Sequence, residues 1–324
     1  MGWLAENVMI TFGPVPSRRL GRSLGINNIP PKACSYSCVY CQVGPTHDPE
    51  ITPRAFYAPQ EILRSVTDRL GALAQRGERV DWLTFVPDGE PTLDVNLGET
   101  IDLLRPFGIP IAVISNASLA WREDARAALA KADWLSLKVD ATDPAVWQRL
   151  NRPCAELRLD AILDGVARLA RDYRGTLTTE TMLVAGVNDT DESVSGVAEY
   201  LGRLVPAVAH LAVPTRPPAE PGVCPPTEMT LVRAYELFRA RVPHVEYLIG
   251  DEGSAFAAAG PAESELLAIT AVHPLREEAL RSLLANARAQ WLVVERLLAA
   301  GALRRVEYQG QRFYVRTLRS TTDG

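Results

Sequence analysis

With 324 residues, 47% of them apolar and 23% charged, the chain has the composition of a globular protein, long enough for one large domain or one large and one small. A net charge of -5 excludes bulk electrostatic attraction to nucleic acid, though not a local basic patch. No apolar run approaches the roughly 18 residues that cross a bilayer, and the start, Met-Gly-Trp-Leu-Ala-Glu-Asn, lacks the basic and apolar regions of a secretory signal, so a cytoplasmic protein without membrane contact is expected.

Residues 8–12 read as a short strand, and 13–22, with its glycines and prolines, as a loop. Arg18, Arg19 and Arg22 in that loop suit an anionic carboxylate or phosphate, which guanidinium grips in a fork, and are candidate substrate contacts. A strand over 23–29 then feeds Cys34-Ser35-Tyr36-Ser37-Cys38-Val39-Tyr40-Cys41. Three of the five cysteines fall within eight residues, a density that indicates metal ligation rather than disulfides in a reducing compartment. Thiolate-only ligation suits zinc or an iron–sulfur cluster. A closed zinc site takes four protein ligands, and a cubane takes one cysteine per iron. Three cysteines would therefore leave one iron of a [4Fe–4S] cluster free to hold a small molecule. Cys154 and Cys224 stand alone and read as ordinary half-buried thiols.

Beyond the cysteines the pattern alternates. A helix over 59–75 opens on Pro59, and strands are expected at 80–86, 110–115 and 134–139. Asp143-Pro144 caps a helix, 158–172 is amphipathic, and 177–184 and 210–214 complete the strands. Such alternation argues an α/β fold with a parallel sheet wrapped by helices, either a partial barrel of six units or a flat doubly wound sheet. Functional residues then belong at the strands' C-terminal ends, and polar residues recur there. Asp88-Gly89-Glu90-Pro91 follows one strand; Gly89 permits close backbone approach, and Glu90 can accept from an ammonium. Ser115 and Asn116 follow the next, short polar side chains that can also cap a helix. Lys138 lies in an apolar strand and needs an anion, a ligand carboxylate or Asp140 or Glu90. Glu180 is the acid of the fifth strand, able to bind a ligand or bridge to Lys138, and Arg216 after the sixth lines the mouth.

A Gly/Ala-rich stretch at 251–260 reads as a linker between a body over 1–250 and a smaller domain over 261–320. Helical patterns at 262–270, 275–284 and 291–300 precede two alternating strands, 303–308 and 311–315, around Gln309-Gly310. Three helices and a hairpin resemble a winged helix. Its nine Arg and six Glu make it basic, with Arg304, Arg305, Arg312 and Arg316 on or beside the wing, so it reads as a nucleic-acid contact or as a docking or lid module.

The C-x3-C-x2-C spacing with Tyr40 before the last cysteine resembles the signature of the radical SAM superfamily. With residues 14–41, Gly89 to Leu93, Lys138 to Asp140 and Thr179 to Asn188, the chain is similar to one branch of it, the iron–sulfur oxidoreductases related to the tRNA wyosine-base synthase. The likeness covers roughly residues 8–250 and implies a partial (β/α)6 barrel, with the winged-helix-like domain as an accessory. It implies a [4Fe–4S] cluster on Cys34, Cys38 and Cys41 and S-adenosylmethionine (SAM) chelated by the open iron. Reductive cleavage of SAM then gives methionine and a 5′-deoxyadenosyl radical, which takes hydrogen from a substrate. By the same resemblance Tyr40, Gly89, Glu90, Pro91, Ser115, Asn116 and Lys138 surround SAM, Asp140 and Glu180 are the candidate catalytic groups, and flavodoxin or ferredoxin donates the electron. RNA, a protein or peptide, and a small metabolite are the substrate classes to weigh. Wyosine synthases carry a second cluster on further cysteines; five cysteines are too few for that, which counts against the tRNA reaction itself. A non-enzymatic iron–sulfur sensor with a DNA-binding winged helix is the reading from a different class.

Overall fold

The computed structural model describes residues 9–249 and 260–317. The linker expected over 251–260 lies, Gly260 apart, outside the described residues, as do the first eight residues, read above for a signal sequence and the start of a strand. Eight strands form one sheet in chain order: β1 (Thr11–Ser17), β2 (Gly21–Ile26), β3 (Trp82–Phe85), β4 (Ile111–Ser115), β5 (Trp134–Lys138), β6 (Thr176–Met182), β7 (Val208–Ala212) and β8 (Val245–Leu248). β1 runs antiparallel to β2, and β2 through β8 are parallel. The crossovers carry α1 (Pro59–Ala74), α2 (Leu97–Leu104), α3 (Glu123–Leu129), α4 (Pro144–Asn151), α5 (Leu159–Asp172), α6 (Asp191–Leu204) and α7 (Glu228–Arg239). This is the α/β architecture expected, with a large, mostly parallel sheet. The six expected parallel strands are β2 to β7; β8 extends the row.

The sheet's two faces differ in chemistry because side chains alternate along each strand. Ile26, Phe85, Val113, Leu135 and Leu177 are register neighbours across five strands and belong to the main apolar core, together with helix residues such as Ile62, Ile101, Val166 and Val197. The opposite face carries Trp134, Ser136 and Lys138 from β5, and Lys138, Glu180, His210 and Glu246 follow one another across β5 to β8. Burial of the first face drives folding, at about 25 cal/mol per Å² of apolar surface removed from water; the second face is polar where ligands are expected.

The stretch 13–22, expected as loop, is instead largely hairpin. Pro14 and Pro16 sit in β1, an edge strand, where a missing N–H is tolerated, and the register shifts between Phe12 and Val15.

Residues 260–317 form α8 (Ala262–Val272), β9 (Leu275–Arg276), α9 (Glu277–Asn286), α10 (Leu292–Ala299), β10 (Leu303–Tyr308) and β11 (Gln311–Arg316). The second helix starts at Glu277 rather than 275 because Leu275 and Arg276 pair with Tyr314 and Phe313, making a three-stranded sheet in the order β10-β11-β9. Leu266, Ile269, Leu280, Leu283, Val294 and Leu303 make a separate small core. This C-terminal module is bound to the body. Arg69 of α1 forks to Glu265 of α8, with Nη2 to Oε2 at 2.7 Å, and its Nε reaches Gly13 O at 2.9 Å. Gln42 Nε2 donates to Val272 O at 2.9 Å, beside the cysteines, and Tyr308 OH donates to Pro214 O at 3.2 Å.

Candidate active site

The cysteine loop follows β2 and is stitched to the body on both sides. On one side Lys32 N donates to Asp88 O at 2.8 Å and Glu90 N to Ala33 O at 2.9 Å. A Cβ on Gly89 would lie 1.9 Å from Ala33 O, so the glycine is required by the approach of the cysteine loop itself. On the other side Val39 N donates to Leu150 O at 3.0 Å, Ser37 N to Asn151 O at 3.1 Å and Cys154 N to Ser35 O at 2.9 Å. Cys34, Cys38 and Cys41 are free and partly buried. Each sulfur accepts a bond from a different donor: Asn116 Nδ2 to Cys34 at 3.6 Å, Asn151 Nδ2 to Cys38 at 3.4 Å and Lys32 Nζ to Cys41 at 3.7 Å. Burial, then the neighbouring Cys38, raises the Cys34 thiol far above its usual range, and burial with Asp140 raises Cys38 to about 12. Such thiols become thiolates only when a cation takes the proton's place. Among the described residues no three His, Cys, Asp or Glu side chains are gathered so as to hold one metal ion.

Glu90 is wholly buried. Its Oε1 accepts from Thr92 N at 3.1 Å, Thr92 Oγ1 at 2.6 Å and Ser115 Oγ at 2.7 Å, and its Oε2 from Asn116 N at 2.7 Å. Burial raises its pKa, and these bonds oppose the rise. The carboxylate, expected as an ammonium acceptor, accepts these four internal bonds, one of them at Oε2, and ties the end of β3 to the end of β4. Pro91 opens the tight turn Pro91–Leu93 that Glu90 caps. Asn116 is thereby aimed inward: its Oδ1 accepts from Ser118 N at 2.9 Å, and its Nδ2 meets Ser35 Oγ at 3.1 Å as well as Cys34.

Tyr40 is buried, and its hydroxyl donates to Asp140 Oδ2. The same oxygen accepts from Asn151 Nδ2 at 2.8 Å, and Asp140 Oδ1 accepts from Met182 N at 2.8 Å. Asp140 therefore clamps β5, β6 and the cysteine loop together. Asn151 was missed by the sequence reading. Its only local signal is the helix stop: Arg152 is left-handed at φ 44° and Pro153 follows.

Lys138 Nζ meets Glu180 Oε1 at 2.8 Å, Arg19 Nη1 meets Glu180 Oε2 at 2.8 Å, and Lys138 lies 4.9 Å from the Tyr40 ring centre. Burial alone would raise the Glu180 pKa, but Lys138 and Arg19 outweigh it and hold the acid down to about 2. Burial likewise opposes the Lys138 charge, yet Glu180 and Asp140 keep its pKa above the ordinary lysine value. The two form an ion pair in which each stabilises the other's charge. The other arginines separate. Arg18 donates to Ile249 O at 2.7 Å. Arg22 pairs with Glu78 at the N-terminal ends of β2 and β3, opposite the cysteine loop. Arg216 holds Gln42 Oε1 at 2.9 Å and faces His273 Nε2 at 3.1 Å, joining the cysteine loop to the C-terminal module.

A parallel α/β sheet whose first parallel strand runs into a braced three-thiol loop, with polar turns at the ends of the next strands, defines a cofactor-dependent enzyme scaffold. The family described as the Radical SAM superfamily matches residues 28–200. The UPF0026 protein MJ1312 of Methanocaldococcus jannaschii is 44% identical over 313 residues, covering 96% of this chain and 97% of that protein. Two solved structures share the fold: TYW1 with a lysine-pyruvate adduct bound (TM-score 0.51, 16% identity, 68% of this chain and 74% of that one) and a radical SAM methyltransferase from Sphaerobacter thermophilus (TM-score 0.50, 20% identity, 72% and 69%). The chain belongs to the radical SAM superfamily and is an enzyme, which sets aside the sensor reading. Membership brings SAM and an iron–sulfur cluster as cofactors. No helix among the described residues is long and apolar enough to cross a membrane.

Proposed function

We propose that Cys34, Cys38 and Cys41 hold a [4Fe–4S] cluster, that SAM lies across the C-terminal strand ends, and that the enzyme removes a hydrogen atom from a substrate entering beside the C-terminal module. The observation that carries this reading is the set of three sulfurs, each with its own N–H donor, on a loop tied to Gly89 on one side and Asn151 on the other. When bound, the cluster supplies the electron that cleaves SAM to methionine and the 5′-deoxyadenosyl radical. An external one-electron donor such as flavodoxin or ferredoxin must reload it. Lys138, held cationic, suits a carboxylate, and Ser115 with the Gly89–Pro91 backbone borders the SAM side. Asp140 and Glu180 act by position: the first fixes Tyr40, the second fixes Lys138.

The body over 1–250 is read as the partial barrel and 261–320 as a winged-helix-like accessory walling the mouth. RNA is the least supported substrate class. Arg304, Arg305 and Arg312 are exposed on the wing, but Glu277 lies 3.5 Å from Arg312 and offsets part of its charge, and Arg316 is partly buried near Asp88.

The test is anaerobic reconstitution with iron and sulfide. A brown protein is expected, with an EPR signal on reduction that changes when SAM is added, and 5′-deoxyadenosine released under dithionite. Alanine at Cys34, Cys38 or Cys41 should abolish all three. A colourless wild-type protein would refute the reading.

A further inference from the structure

We infer that Lys32, Asn116 and Asn151 are positioning residues that set the reduction potential of the cluster, each by donating an N–H to one cysteine sulfur. The inference rests on the proposed cluster and goes beyond it, since ligation needs the sulfurs alone. Three features single these residues out. The match is one to one: Lys32 to Cys41, Asn116 to Cys34, Asn151 to Cys38. Asn116 and Asn151 come from segments 82 and 113 residues away in the chain, so their matches do not follow from the loop's local sequence, whereas Lys32 belongs to the loop itself.

Each donor is also held in place by other bonds. Asn116 is fixed through its N–H to Glu90 and its Oδ1 to Ser118. Asn151 is 2% exposed and is fixed through Asp140 at 2.8 Å. Lys32 adopts a left-handed backbone, φ 66°, and anchors Nζ on Gly44 O at 2.6 Å, which leaves the ammonium beside Cys41.

The sign follows from electrostatics. Reduction adds negative charge to the cluster and its thiolates. N–H donors and a cation stabilise that charge, so they favour the reduced state and raise the potential. Removing a donor makes reduction harder. Lys32 carries a full charge and should weigh more than either amide.

The experiment is an EPR-monitored redox titration of the reconstituted holoenzyme without SAM, for wild type, Lys32→Met, Lys32→Arg, Asn116→Ala and Asn151→Ala, with iron content measured first. Lys32→Met should retain its iron and shift the reduction equilibrium about tenfold toward the oxidised form, about 59 mV for a one-electron couple. The asparagine variants should each shift it about two- to fivefold the same way, and Lys32→Arg should stay within about twofold of wild type. Unchanged potentials in iron-replete Lys32→Met and Asn116→Ala overturn the inference. So does iron loss in both, which would make the residues structural only. A wild type that takes up no iron defeats the proposed function instead, and the two failures are distinguishable.

Discussion

Three buried acids near the strand ends show three ways of meeting the cost of a charge inside a protein. Glu90 is surrounded by hydrogen-bond donors, and Glu180 sits between two cations. Asp88 has neither in full: it is 4% exposed, and its Oδ1 has no hydrogen-bond partner. Burial raises its pKa to about 6, and the charges of Lys32 and Arg316 offset only part of the rise. A folded-state pKa above the ordinary aspartate value of about 4 means that the folded protein holds the proton more tightly than the unfolded chain. Ionised Asp88 therefore costs stability above pH 6, and the cost fades as pH falls from about 6 to 4. Asp88→Asn, a neutral isostere, should be more stable than wild type at pH 8 by about 1–3 kcal/mol, with the gap closing at pH 4. Urea unfolding of both proteins at the two pH values measures this; a less stable variant at pH 8 would mean that attraction to Lys32 and Arg316 dominates.

At the scale of the element, the cysteine loop is held by contact rather than by regular structure of its own. Gly89 is where the approach is tightest, and the atom in the way is a backbone carbonyl, which cannot swing aside. Gly89→Ala should cost about 3 kcal/mol or more and lower iron uptake, because the loop must move off the turn after β3. Gly71 is the control. It lies inside α1 with open space where a Cβ would go, so Gly71→Ala should stabilise by about 0.5–1 kcal/mol. Thermal melts and iron analysis of the two variants should diverge in opposite directions; similar melts would refute the assignment of Gly89 to loop docking.

Across the whole molecule, the C-terminal module is held by Arg69 and Glu265, which are 7% and 0% exposed. Removing one member of such a pair leaves the other charge buried, a loss of about 3–5 kcal/mol, whereas replacing both with apolar residues can be nearly neutral. Glu265→Ala should thus lower stability by that amount, and adding Arg69→Met should recover most of it. The same bond fixes the wall beside the cysteines, through Val272 to Gln42 and His273 to Arg216. Additive effects of the two substitutions in a urea double-mutant cycle would show that the pair is not what joins module to body.

The sequence by itself determined the alternating strands and helices, the cysteine triad and the polar residues at strand ends, because hydrophobic period, turn chemistry and ligand spacing are local properties. The hairpin at β1 was hidden by Pro14 and Pro16, which read as loop unless the strand is known to be an edge. Partners were hidden more deeply. That Glu90 accepts from Ser115 and Asn116, that Glu180 answers to Arg19 as well as Lys138, and that Asn151 reaches Cys38 all join segments 25 to 161 residues apart. A side chain's type says which bonds it can make. Which bonds it does make depends on what the fold brings within about 3 Å, and only the tertiary structure decides that.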